Sequence, residues 1–257
     1  MKKSPLNALK DLVEKLRSKD GCPWDQKQTP EDTKNYLIEE MYELFEAIDE
    51  NNSDHICEEL GDVLMLIMSL ARMYEEQGMF GIDQAATFCR EKMIRRHPHV
   101  FGDARAKDAE AVLKRWHQIK NKEKENQSKS ILDSVPSNMP SIHRAFQLAE
   151  RASRVGFDWL NQKQVEKKMD EEYHEFKEAL QEDNEKHIQS EMGDLMFSII
   201  NIARWCKIHP EAALNECNKK FIQRFKYIED HLRSEGKNLE QATLAEMDAL
   251  WNESKKN

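Results

Sequence analysis

Apolar residues recur along most of this chain at three- and four-residue spacings. No stretch alternates apolar and polar residues long enough to argue for a strand. The spacing predicts helices near residues 5–18, 31–50, 54–77, 82–96 and 108–123, then 140–154, 162–182, 185–206, 210–234 and 243–254. Gly21, Gly78, Gly81, Gly102, Gly156 and Gly236 fall between these spans, where helix stops belong. Gly61 and Gly193 fall inside them, where Gly costs roughly 1 kcal/mol against Ala. Their recurrence suggests close helix contact or ligand approach, with packing alone as the plain alternative.

The two sets of spans reflect an internal repeat. EEMYE at 39–43 returns as EEYHE at 171–175, and ELGD at 59–62 returns as EMGD at 191–194; both pairs are offset by 132. With small insertions, Trp24-Asp25 matches Phe157-Asp158, Lys92 and Arg96 match Lys220 and Arg224, and Trp116 matches Trp251. The expected fold is therefore all-α: two tandem copies of a four- or five-helix domain, at 1–120 and 140–257. Residues 121–139, which begin NKEKENQSKS and continue into a Pro-containing stretch, read as the linker.

Composition agrees. The 257 residues include 8 Gly and 7 Pro, few for this length, and 34 % are charged, which suits exposed helices. A net charge of -9 argues against binding nucleic-acid polymers, which takes a basic surface. No apolar run reaches the ~20 residues of a membrane span. The segment MKKSPLNALKDLVEKL lacks the apolar core of a signal peptide. Cys22, Cys57, Cys89, Cys206 and Cys217 are scattered, with neither disulfide nor zinc spacing, and suit a reducing cytoplasm.

The candidate chemistry is acidic. With Tyr173 at 0° on a helical wheel, Phe176 and Leu180 lie within about 60° of it as an apolar stripe. Glu171, Glu175 and Glu172 fall near 160°, 200° and 260°, where they repel one another unless screened. On the following span Leu195, Met196, Ile199 and Ala203 form a stripe typical of a buried face, with Glu191 and Asp194 at its edge. A short connection around Asp183–Asn184 makes the two helices antiparallel neighbours. Glu172, Glu175, Glu191 and Asp194 then converge as hard oxygen ligands suited to Mg²⁺ or Mn²⁺. The set resembles carboxylate metal sites of helical bundles, without the ligating His of the iron versions. One E-x-x-E is ordinarily a solvated face. Two motifs on adjacent helices, duplicated at one offset, reverse that reading.

An acidic chain that handles a polyanion also needs local cations. Lys220 and Arg224 share a helix face and supply a point charge and a bidentate fork. Alone such a pair is surface decoration; its recurrence at Lys92 and Arg96 is what gives it weight. Trp251 reads first as a packing anchor and second as a stacking partner for a base. His97-Pro98-His99 reads as a capped loop, and His174 points away from the carboxylates. No Gly-rich phosphate loop or nucleophile motif is present.

These residues resemble the MazG family of nucleoside triphosphate pyrophosphohydrolases along essentially the whole chain. The resemblance rests on CPWDQKQT (22–29), EEMYE, ELGD, RRHPHVF (95–101), LDSVPSNMPS (132–141), RVGFDW (154–159), EEYHE, EMGD and NKKFIQRF (218–225). It implies the long two-domain form, a homodimer, Mg²⁺ dependence with Mn²⁺ as substitute, and hydrolysis of NTPs and dNTPs to monophosphate and pyrophosphate. It implies metal ligation by Glu172, Glu175, Glu191 and Asp194. It further implies substrate contacts from Lys168, Glu171, Lys220, Arg224 and Trp251, with Glu171, Glu172, Glu175, Lys220 and Arg224 taking part in catalysis. It places activity in the C-terminal half, and Lys168 against Tyr36 at the matching position agrees. Yet the first half keeps Glu40, Glu43, Glu59, Asp62, Lys92 and Arg96, and its activity stays open. Crowding predicts raised pKa values, so Glu171 or a neighbour suits a general base. The rival readings are a non-catalytic helical dimer that binds nucleotide or protein, and a narrow pyrophosphohydrolase of the same fold.

Overall fold

The computed structural model describes residues 4–124, 130–182 and 184–256. Among them it contains helices and no strand. The chain forms two compact units, Met1–Lys124 and Glu125–Asn257.

The first unit contains α1 (Pro5–Arg17), α2 (Pro23–Lys27), α3 (Pro30–Glu50), α4 (Ser53–Glu76), α5 (Ile82–Arg96), α6 (Pro98–Phe101) and α7 (Ala109–Lys124). Helix α3 starts at a capping box, in which Thr29 and Asp32 satisfy each other's backbone N–H groups. It ends at Asn51, whose φ of 54° reverses the chain. Asn52 then caps α4, so only two residues separate the helices and they run antiparallel. Ala47, fully buried, and Leu44 from α3 share the core with Met68, Ala71 and Met73 of α4 and Val13 of α1. Arg17 ties α1 down, pairing with Glu76 at 2.9 Å and donating to the carbonyl oxygens of Asp25 and Gln28.

The second unit contains α8 (Ser141–Ser153), α9 (Gln162–Ala179), α10 (Glu185–Trp205), α11 (Pro210–Ser234), a 3₁₀ turn at Leu239–Gln241, and α12 (Leu244–Ser254). The paired helices recur as α9 and α10, capped by Asn161 and Asn184. Helix α8 packs beside α10, while α11 packs chiefly on α12 and α8. Ile228, Leu232 and Leu250 form a core cluster, with Tyr227, Met247 and Trp251 against it. Arg204 of α10 holds Asp158 at 2.5 and 3.1 Å.

Some expectations change. The expected linker is helical through Lys124, residues 125–129 lie outside the described residues, and 130–139 form turns with Val135 buried. Asp183, half of the expected reversal, also lies outside them. Helix α9 ends at Ala179 rather than 182. Helices α2 and α6, of five and four residues, are too short to show a period; each opens on a Pro. The largest correction concerns the faces. Tyr173, Leu180, Met196 and Ile199 stand half exposed, while Val165, Glu172, Ala179, Ser198 and Ile200 are buried. A wheel identifies which residues share a face. It does not say which face meets a neighbour, and here Val165, Ala179, Ser198 and Ile200 turn inward with one glutamate. Gly61 and Gly193 correct the sequence reading likewise, since a Cβ at either would touch nothing within 4 Å. Close contact inside their own unit is not their reason.

Candidate metal and active site

The acidic site grows from the seven-residue spacing of Val165, Glu172 and Ala179 on the buried side of α9. Glu172 is thereby drawn inward and is 7 % exposed, whereas Glu175 stays at the rim. Glu191 comes from the second turn of α10. Carboxylate oxygens of Glu172, Glu175 and Glu191 lie within 4.8 Å of one another, a set able to hold a metal ion. Asp194, one methylene shorter and exposed, is not in that set.

Lys168 supplies the set with a cation of its own, its Nζ 2.7 Å from Glu172 and 2.8 Å from Glu171. Those hydrogen bonds raise the Lys168 pKa. The Lys168 hydrogen bond in turn lowers Glu171, the reverse of the crowding expectation, because Glu171 leans out toward the lysine. Glu175 behaves as crowding predicts: loss of solvent and the charge of Glu172 raise its pKa.

The first unit repeats the set with Glu40, Glu43 and Glu59. Position 36 is Tyr, whose ring lies 5.9 Å from that of Trp24 and brings no cation. Burial, then the charges of Glu43, Asp62 and Glu59, raises the Glu40 pKa. Glu59 is 5 % exposed, and its Oε2 has no hydrogen-bond partner among the described residues. A buried carboxylate oxygen without a donor is costly unless a cation completes it. The first set fits a divalent ion on that ground, and both sets fit one by their all-oxygen donors.

Each set also touches a histidine that sequence reasoning passed over. His187 lies 2.7 Å from Glu182 and 3.4 Å from Glu191; His55 lies 3.5 Å from Glu50 and 3.3 Å from Glu59. The Glu182 hydrogen bond is the main cause of a raised His187 pKa. The signal was present, since 55 and 187 differ by the repeat offset of 132.

The expected phosphate cations lie on another element. Lys220 is exposed on α11, and Arg224 stacks over Trp251 at 5.6 Å. Trp251 also meets Phe221 at 5.2 Å and packs on the Ile228–Leu232–Leu250 cluster, so its anchoring role is built in. Among the described residues no ion pair joins Lys220 or Arg224 to the carboxylates, and α11 packs chiefly on α12 and α8. The first unit copies the stack, with Arg96 over Trp116 at 5.2 Å, but there Glu123 holds Arg96 at 2.5 and 2.9 Å. His97 Nδ1 donates to the Met93 carbonyl oxygen across 2.7 Å, as a helix-end residue of α5. A cavity of about 430 Å³ in the second unit, lined by Leu148, Trp159, Phe197, Asn201 and Arg204 among others, includes none of the clustered carboxylates.

The MazG nucleotide pyrophosphohydrolase domain matches residues 28–101 and again 161–228, each span containing one acidic set. The chain is 42 % identical over 247 residues to the nucleoside triphosphate pyrophosphohydrolase/pyrophosphatase MazG of Thermotoga maritima, covering 96 % of this chain and 94 % of that one. It is 34 % identical over 258 residues to the nucleoside triphosphate pyrophosphohydrolase of Escherichia coli K12, covering 98 % and 97 %. It is 44 % identical over 250 residues to the uncharacterized protein YabN of Bacillus subtilis, covering 97 % of this chain and 51 % of that one.

Proposed function

The chain belongs to the MazG family, and from that premise we propose that it is a magnesium-dependent hydrolase cleaving NTPs and dNTPs to monophosphate and pyrophosphate. The observation that carries the reading is the duplicated convergence of three carboxylates from two antiparallel helices. The proposed Mg²⁺ ligands are Glu172, Glu175 and Glu191, with Asp194 joining from the rim; Mn²⁺ would serve in its place. A bound divalent ion would offset phosphate charge and lower the pKa of water.

Water attacks the α-phosphorus, the bond from that phosphorus to the bridging oxygen breaks, and pyrophosphate departs. A carboxylate of the set takes the proton from water. Glu171, which lies beside the set and is not one of its proposed ligands, is the other candidate for that role. Lys168, already poised over Glu171 and Glu172, turns to the phosphates. Lys220 and Arg224 offset charge on the departing pyrophosphate, and the Arg224–Trp251 stack marks the base side. The half-exposed stripe of Tyr173, Leu180, Met196 and Ile199 supports a homodimer, since a second copy would cover it.

The test is product analysis with Mg²⁺ and a panel of NTPs and dNTPs. We expect monophosphate and pyrophosphate, lost on chelation and in Glu172→Gln and Asp194→Asn, with helicity retained. Near-wild-type turnover in both variants would remove these residues from the site. Metal-dependent binding without product would make the chain a binding module.

A further inference from the structure

Each acidic set has an outer neighbour that the repeat carries with it. In the second unit the imidazole of His187 stands between two carboxylates. Its Nδ1 is 2.7 Å from Glu182, in the turn after α9, and its Nε2 is 3.4 Å from Glu191, one turn further along α10. In the first unit His55 Nδ1 is 3.5 Å from Glu50, the last residue of α3, and Nε2 is 3.3 Å from Glu59. Positions 50, 55 and 59 become 182, 187 and 191 at the same offset of 132, so a complete Glu–His–Glu line is duplicated.

The geometry gives the line a task. His55 meets Oε1 of Glu59, and the other oxygen, Oε2, is buried, has no hydrogen-bond partner among the described residues, and belongs to the side chain shared with Glu40 and Glu43. One oxygen faces the ring at 3.3 Å, while the other is buried and has no hydrogen-bond partner among the described residues. The line also crosses the reversal between the paired helices. Its first carboxylate sits at the end of the helix that carries the E-x-x-E pair, and its last is the ligand on the next helix. The ring therefore fixes Glu59 or Glu191 relative to the carboxylates on the opposite helix. A set assembled from two helices depends on that relation, and neighbours that orient metal-ligating side chains typically change affinity 10–100-fold.

We propose that His55 and His187 are positioning residues that orient Glu59 and Glu191 for a divalent cation, each steadied by the carboxylate on its far side, Glu50 or Glu182. This rests on the reading of the two sets as metal sites. His187 sits closer to its anchor than His55 does, so the second unit depends more on Glu182 than the first depends on Glu50.

The test titrates the full chain with Mn²⁺ alone and reads the free ion by electron paramagnetic resonance, alongside unfolding of the metal-free protein. The wild type should bind at both sets. His55→Ala and His187→Ala should each weaken one set by about 10-fold or more, and the Gln variants, which keep a neutral donor, should recover most of it. Glu182→Gln should weaken the second set alone. If an Ala variant fails to fold, the Gln variants and Glu182→Gln decide. A lower unfolding midpoint with unchanged Mn²⁺ affinity would make the histidines mere helix staples and overturn the proposal, as would tighter binding without them. No Mn²⁺ binding by the wild type would overturn the metal reading itself, and the proposal with it.

Discussion

Glu171 and Glu172 are adjacent in sequence and opposite in situation. One leans into solvent toward Lys168, and the other is buried at the α9–α10 contact. The motif EEYHE identified both as candidates, and the repeat made the candidacy strong. Lys168 reaches both, and their division into an exposed carboxylate and a buried one came only from which side of α9 is covered. Gly193 shows the same limit. It recurs at Gly61, yet a Cβ at either place would meet open space. Gly193→Ala should therefore raise the unfolding free energy by roughly 1 kcal/mol through helix propensity, measured by urea denaturation. Destabilisation instead would mean that a second copy or a ligand approaches the backbone there.

The helices were legible because their ends carry chemistry as well as a period. Asn52 and Asn184 cap the second member of each pair, and Thr29 and Thr243 build capping boxes. Helix α12, which carries Trp251, depends on such a box: Thr243 and Glu246 satisfy each other's backbone N–H groups, and Lys237 reaches Glu246 at 2.5 Å. Thr243→Ala should cost about 1 kcal/mol in urea unfolding. The lysine and cap bonds lower Glu246 to about 2 from its ordinary 4.5. Its folded pKa is depressed, so its contribution is present above about 4.5 and fades as pH falls toward about 2. Urea midpoints measured across that window should converge for wild type and Glu246→Gln. Parallel curves would contradict the assignment. Helices α2 and α6 escaped notice because one turn has no period to detect.

At the scale of the whole molecule the exposed apolar side chains matter most. Tyr42, Phe45 and Ile48 on α3 and Met196 and Ile199 on α10 are each exposed by four-tenths or more. The wheel assigned the α10 stripe to a core, and no described element of its own unit covers it. A second copy is the proposed cover. Ile199→Glu should shift sedimentation from dimer to monomer with the helical content kept. A wild type that sediments as a monomer would remove the homodimer from the proposal.

The sequence by itself determined the helices, the duplication and the two candidate acidic motifs, since periodicity, caps and a constant offset are properties of order along the chain. It also held the histidine pair, at the same offset, though nothing in a helical period marks it as functional. Tertiary structure alone decided which carboxylates meet, that Asp194 stays at the rim, that Lys168 pairs with both Glu171 and Glu172, and that Glu123 occupies Arg96. The reason is physical. Spacing fixes the angle between residues on one helix, but burial, pairing and pKa depend on which face a neighbouring helix covers, and that is set by packing between elements.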